Sequence, residues 1–230
     1  MSSDKRPSTR ATTTRGLGKA LRRLPLFPLE GVVLFPHSMI PLHIFESRYR
    51  KMVRDVLGSN RLLAISLQLE KENLQEGNLP RVADVASVGE LVLAQELPDG
   101  RFNLVVRGRA RIGIDEELPS DEPYRLIAAH EIPDESLQER ADIDEADAAL
   151  RALISGLAES IPDGGDLLKH VTAAQDTPAA LANVVAASLI ADAKTRQLLL
   201  ETTDVFQRLE RLSSEVVALT DRVGKPSRAN

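Results

Sequence analysis

Between Leu24 and Met52 the chain reads LPLFPLEGVVLFPHSMIPLHIFESRYRKM, and its four prolines, Pro25, Pro28, Pro36 and Pro41, restrict the fold more than any other feature. Proline has no amide hydrogen and a fixed φ, so the apolar runs it interrupts are excluded from helix interiors and from the middle of a sheet. They are expected to form edge or kinked strands joined by tight turns. The period changes at Ser47. Tyr49, Met52, Val53 and Val56 follow at helical spacing, with Ser47 placed as an N-cap and Gly58 just past the end. Strand, strand, capped helix is the predicted order.

From Arg61 to Ile132 the chain keeps the strand period. RLLAISLQL (61–69) reads as a strand, 70–80 as a polar loop, and Val82 to Val92 as a return to the sheet, broken by Gly89. Pro98, Asp99 and Gly100 supply a tight turn into RFNLVVRGRARIGI, where Phe102, Leu104 and Val106 alternate with Asn103, Val105 and Arg107 until Gly108 marks a bulge. Tyr124 to Ile132 closes this half.

From Pro133 the composition turns acidic and then helical. Asp142 and Glu145 stand at capping-box spacing, and Pro162 to Gly165 ends the helix. A short apolar helix is expected around Leu167 to Val171, and another opens with Thr177 as N-cap and Pro178 at the first helical position. Lys194 to Leu200 is a further short helix. Val205, Leu209, Leu212, Val216, Leu219 and Val223 form a heptad seam, expected to be the buried face of a bundle. The expected fold class is α+β: an N-terminal, mostly antiparallel, partly closed β-barrel with one inserted helix, followed by a C-terminal α-helical bundle. The expected divisions are a disordered basic tail (1–23), a β-rich half (24–133), an acidic linker and helix start (134–147), a helical half (148–224) and a disordered end (225–230). The tail's Ser- and Arg-rich, acid-poor character also allows a transit peptide or a weak contact with acidic partners.

Three stretches carry a family resemblance. LPLFPLEGVVLFP with PLHIFESRYRKM, and the Val106-x-Gly108-x-x-Arg111 pattern ending VGELVLAQELPDGRFNLVVRGRARI, resemble the Lon protease amino-terminal domain, above all its free-standing relatives. KTRQLLLETTDVFQRLERL, which contains Arg208, resembles that domain's usual ending. The resemblance implies a PUA-like barrel with a helical part, and a module that captures unfolded or tagged polypeptides.

The chemistry of cutting is not written in these residues. A Lon-like protease needs a phosphate-binding loop, an acid for Mg²⁺ and a serine–lysine dyad, none of which is found in the 230 residues. Gly16-Leu-Gly-Lys19 lacks the earlier glycine and the following hydroxyl residue of such a loop. The four histidines, His37, His43, His130 and His170, show no metal-ligand spacing. No cysteine is present for a thiolate site or disulfide, and no apolar run approaches the roughly 20 residues of a membrane span. No cofactor is therefore expected, and a cytoplasmic location is. Net charge is −5 and only 3% of residues are aromatic, which argues against nucleic acid as the partner.

The expected activity is non-catalytic recognition of unfolded or partner polypeptides through an apolar groove. Phe35, Met39 and Phe45 are the candidate linings, with core packing the competing role for Phe45 and Met39 the leading choice because a flexible thioether suits many partners. Glu46 is expected to form a structural ion pair with one of Arg107, Arg109 or Arg111, the alternative being that these arginines make a recognition patch for carboxylates or RNA phosphates. Two other activities remain open: a hydrolase assembled from distant residues such as His37 and Glu46, and a scaffold or homodimer built on the terminal helix.

Overall fold

The structure, a computed structural model, describes residues 17–69, 80–161 and 164–223. Its elements run α1 (Leu17–Ala20), β1 (Leu24–Leu29), β2 (Met39–Ile44), α2 (Ser47–Leu57), β3 (Leu62–Leu67), β4 (Val85–Glu96), β5 (Phe102–Leu118), β6 (Arg125–Glu131), α3 (Arg140–Glu159), α4 (Gly165–Ala173), α5 (Pro178–Leu189), α6 (Ala193–Glu201) and α7 (Val205–Val223). The α+β order agrees with the sequence pattern. Residues 70–79 of the expected polar loop 70–80, Pro162 and Asp163 of the expected break at 162–165, the segment 1–16 and the end 224–230 lie outside the described residues.

All six strands join one sheet in the order β2-β5-β4-β3-β1-β6, and β5 also pairs with β6. The β1–β3 pair is parallel and the others are antiparallel. Five strands thus close on one another while β2 is added to the outside of β5. The sheet is closed over part of its length and falls short of a complete barrel.

Long β5 serves both regions because it bends. Gly89 of β4 faces Gly108 of β5, and the register shifts beside them leave Arg109 as the extra residue. A Cβ on Gly108 would lie 1.9 Å from the Phe35 carbonyl oxygen, so only glycine permits this close approach. At the hairpin tip Gly100 takes φ +78° and its amide donates to Leu97 O, the turn that Pro98-Asp-Gly predicts.

Three apolar clusters hold the chain together. Small residues, Ala64, Ala86, Ala110 and Val88, pack with Leu24, Leu26, Ile112 and Ile127, and Leu17 and Leu21 join them. The disordered tail expected through Arg23 is therefore too long: Leu17 and Leu21 are 4% and 5% exposed, because this cluster accepts one turn of apolar helix. The second cluster seats Tyr49, Met52, Val53 and Val56 of α2 on Phe27, Leu34, Phe102, Leu104 and Val106. The α2 N-cap is Glu46, not Ser47, and makes no side-chain cap bond.

The helices form the third cluster, which also takes Val33, Phe35 and Leu67 from the β half. Thr177 accepts from Ala180 N with Pro178 behind it, as expected. Helix α3 starts at Arg140, ahead of the expected Asp142–Glu145 capping box, and Arg140 pairs with Asp144 one turn on. The seam of α7 is buried through Val205, Leu209, Leu212 and Val216, where it packs on α3 and α5. Those side chains are inside the bundle, so they cannot form the dimer seam of the scaffold reading.

A cluster of charge locks the two halves together. Arg111 of β5 and Arg208 of α7 are 3% and 1% exposed, and both donate to Asp134 Oδ1, at 2.9 and 2.6 Å. Arg208 also donates to Asn183 Oδ1, and Arg111 Nε to Leu200 O near the end of α6. Burial pushes the Arg208 guanidinium below its ordinary pKa, against the pull of Asp134. The negative end of the α6 dipole offsets part of the excess positive charge.

Candidate functional site

The sequence LFPHSM folds into a fixed corner. Ser38 N donates to Phe35 O at 3.2 Å, Pro36 and His37 occupy the middle of the turn, and His37 takes φ +69°. Proline followed by a positive φ is the signature of a type II turn. The Ser38 hydroxyl accepts from Phe35 N and donates to Phe35 O at 2.7 Å. The Gly108 amide then donates to Ser38 O, and the His37 amide to Gly108 O. The corner is thereby tied to the bulge of β5, and β2 leaves it in a set direction.

Strand β2 pairs only with β5 among the described residues. Because Ser38 O points to β5, alternation turns the backbone of Met39, Pro41 and His43 to the open edge. Pro41 sits where no amide donor is required of it. Its side chains alternate as well. Ile40, Leu42 and Ile44 pack toward the α2 cluster, while Met39, Pro41 and His43 are exposed.

Across β2, β5 and β4 this exposed face continues in register. One row is Met39, Arg107 and Glu90; the next is Pro41, Val105 and Leu93; the third is His43, Asn103 and Gln95. Met39 is 60% exposed and Leu93 57%, both large apolar side chains facing solvent. The opposite face of the same strands is sealed by α2. An arm of sheet with one face covered and one bare is the result.

Beside the arm, a cleft of about 570 Å³ separates β2 from the helices. Met39, Ile40, Pro41 and Leu42 line one wall, and Val171, Val184 and Ala187 contribute to the other. Among the described residues its only formally charged lining residue is Arg196, which donates to Gly31 O, and no acid lines it. Arg107 and Arg109 stand at the edge of the bare face and both donate to Glu90 Oε2, at 2.8 and 2.6 Å. The Arg107 hydrogen bond, with Arg109 behind it, holds the Glu90 carboxyl below the usual carboxylate range.

The expected site residues scatter. Met39 lines the cleft and is exposed as foreseen; Phe45 is 64% exposed, so core packing is not its role. Phe35 is fully buried in the helical core, because the turn points it inward, and it can line no groove. Glu46 pairs with Arg48 at 2.8 Å and with none of the three expected arginines; Glu90 takes Arg107 and Arg109, and Asp134 takes Arg111. Acids on the strand beside β5 and in the linker reach the arginines, whereas Glu46 sits past the end of β2.

The cleft does not bring the catalytic candidates together. His37 lines it and Glu46 does not, and the Ser38 hydroxyl is committed to its own turn at 7% exposure. Among the described residues no group of three His, Cys, Asp or Glu side chains could hold a metal, and no helix is long and apolar enough to cross a membrane. Sequence reasoning missed Pro41, Val105 and Leu93 as one surface. The alternation was visible in each strand, but the register that brings them side by side was not.

Comparison with known proteins agrees with this architecture. The model of the ATP-dependent protease La (LON) substrate-binding domain matches residues 23–218. The Lon proteases of Dictyoglomus thermophilum and Roseiflexus castenholzii are 29% and 31% identical over 191 and 194 residues, in each case 83% of this chain. Only 24% and 23% of those proteins are covered, so the chain spans about a quarter of their length. Among solved structures, the N-terminal domain of a Mycobacterium avium complex Lon protease superposes with a TM-score of 0.67 at 21% identity, covering 85% of this chain and 98% of that one. A Lon N-terminal domain protein from Xanthomonas campestris gives 0.58 at 24% identity, covering 84% and 97%.

Proposed function

Since the chain belongs to the ATP-dependent protease La (LON) substrate-binding domain family, we propose that it captures unfolded or partner polypeptides without cutting them. One observation carries this reading: an apolar cleft, lined by Met39 and the open edge strand, runs onto a bare sheet face. An extended chain satisfies its own backbone poorly and exposes alternate side chains. An open strand edge beside an apolar trough supplies partners for both. Capture of this kind needs no nucleotide, no metal and no nucleophile, and it suits a cytoplasmic setting in which unfolded chains arise.

The test is to titrate the protein into a fluorescently labelled unfolded polypeptide, with and without ATP, recording anisotropy and cleavage together. Binding without cleavage, indifferent to ATP, is the expected result. Met39→Glu puts a charge on the rim of the apolar trough and is expected to weaken binding tenfold or more, about 1.4 kcal/mol, with the far-UV spectrum unchanged. Unchanged affinity would remove the cleft from the account, and cleavage that survived further purification would refute the non-catalytic reading.

A further inference from the structure

We propose that the bare face selects for charge: its occupant is an extended polypeptide segment with an acidic side chain two residues from an apolar one. This rests on the recognition reading above and names the chemistry of what is recognised.

The rows of the face set the spacing. Pro41, Val105 and Leu93 make an apolar strip across three strands, and the neighbouring row carries Met39, Arg107 and Glu90. Along β2 and β5 adjacent rows on this face are two residues apart, roughly 6.8 Å, which is also the repeat of an extended peptide, while β4 takes the step from Glu90 to Leu93 in three residues through a register shift. An apolar side chain resting on the strip places the side chain two positions away over Arg107.

The charge at that row is unbalanced. Two guanidiniums share a single oxygen of Glu90, leaving one net positive charge, and Arg107 Nε is buried with no partner. Both side chains remain reachable, at 41% and 32% exposure. The adjoining cleft adds Arg196 and His37 and no acid. On a chain of net charge −5, an acid-free trough flanked by surplus arginine attracts acidic segments and repels basic ones. RNA fits less well. Glu90 already offsets one of the two arginines, and the stacked rings of His43 and Phe45, 6.5 Å apart, lie at the far end of the face, separated from the arginine row by the apolar strip.

The experiment compares three short fluorescein-labelled peptides, identical except for Glu, Gln or Lys placed two positions from each leucine, by anisotropy with the full chain. The Glu peptide is expected to bind about three- to fivefold tighter than the Gln peptide at low salt. The Lys peptide should be weakest, and the preference should vanish at about 0.5 M salt. Arg107→Gln with Arg109→Gln should bring the Glu-to-Gln ratio to about one, whereas Glu90→Gln should increase it; circular dichroism checks that each variant is folded. Equal binding of the Glu and Gln peptides would overturn charge selection and leave recognition standing. Displacement of the Glu peptide by a uridine oligonucleotide at equal concentration would overturn it in favour of RNA. Failure of all three peptides on a protein that binds unfolded polypeptide would overturn this face as the site, and failure of both would overturn the recognition reading itself.

Discussion

Removing the Asp134 carboxylate should cost this protein a large share of its stability. Arg111 and Arg208 arrive from opposite halves of the chain, are 3% and 1% exposed, and meet on one oxygen. In Asp134→Ala two charge-assisted hydrogen bonds disappear, worth about 1.5–3 kcal/mol each. Two guanidiniums then face one another without an acid. Breaking a buried pair by deleting one partner costs about 3–5 kcal/mol. The Asp134 side chain is itself 32% exposed, so water can enter on that side and the lower end applies, about 3 kcal/mol. Against a total stability of about 5–15 kcal/mol, that is about a fifth to three-fifths. With a urea m-value near 2 kcal/mol/M the midpoint should fall by about 1.5 M. Asp134→Asn keeps an acceptor and should lie between wild type and Ala. Arg208→Met in the Ala background should recover part of the loss, because it removes one stranded charge. A midpoint within about 0.2 M of wild type for Asp134→Ala would refute the reasoning, since it would mean the arginines are satisfied elsewhere.

Two glycines should respond to alanine with opposite signs. Gly108→Ala drives a Cβ against the Phe35 carbonyl and should cost about 3 kcal/mol or more, a fall of about 6–12 °C in Tm. Gly156→Ala, within α3 where a Cβ would meet nothing, should stabilise by up to about 1 kcal/mol; a loss there would refute the packing described. Stability should also fall in acid. The Lys51 and Tyr124 hydrogen bonds hold the Asp55 carboxyl below its ordinary pKa, as Arg107 and Arg109 hold Glu90. The unfolded carboxyls therefore take up protons first. Their contribution is complete above about pH 5 and is lost as pH falls through about 4 toward the folded values. Urea midpoints between those pH values should fall less steeply in Asp55→Asn with Glu90→Gln, and parallel slopes would contradict the linkage.

The local devices of this fold were legible wherever one residue type suffices to specify them. Thr177 with Pro178, the Pro98-Asp-Gly100 turn, the apolar face of α2 and the buried seam of α7 each follow from spacing alone. What escaped depended on partners far away in the chain. Phe35 lies in an apolar run beside a proline, which fits an exposed turn as well as a core anchor. Only the clamp of Gly108 on Phe35 and Ser38 decides which. Leu17 and Leu21 lie beside a basic tail, and nothing local says that a cluster of small residues between distant strands has room for them. Glu46 belongs to the other family-like stretch, far in sequence from Arg107 and Arg109, and nothing local says that the sheet register gives the pairing role to Glu90 instead.

The same division separates the residues that build this protein from those that meet a partner. Val106, Gly108, Arg111 and Arg208, four of the positions through which the chain resembles its family, are buried and engaged: Val106 in the α2 cluster, Gly108 on the Phe35–Ser38 turn, Arg111 and Arg208 on Asp134. They fix where β2 leaves the corner and how the helices stand against it. Leu93, Val105 and Met39, by contrast, touch little and stabilise little, since each is wholly or half exposed. A rigid corner with a bare arm follows. The arm can change its side chains without endangering the fold, because no buried polar group depends on them, whereas a change at Gly108 or Asp134 alters the cleft by moving its walls. Loss of binding in a Gly108 variant would therefore come with loss of stability. In a Met39 variant the two should separate, and that separation distinguishes a contact surface from its frame.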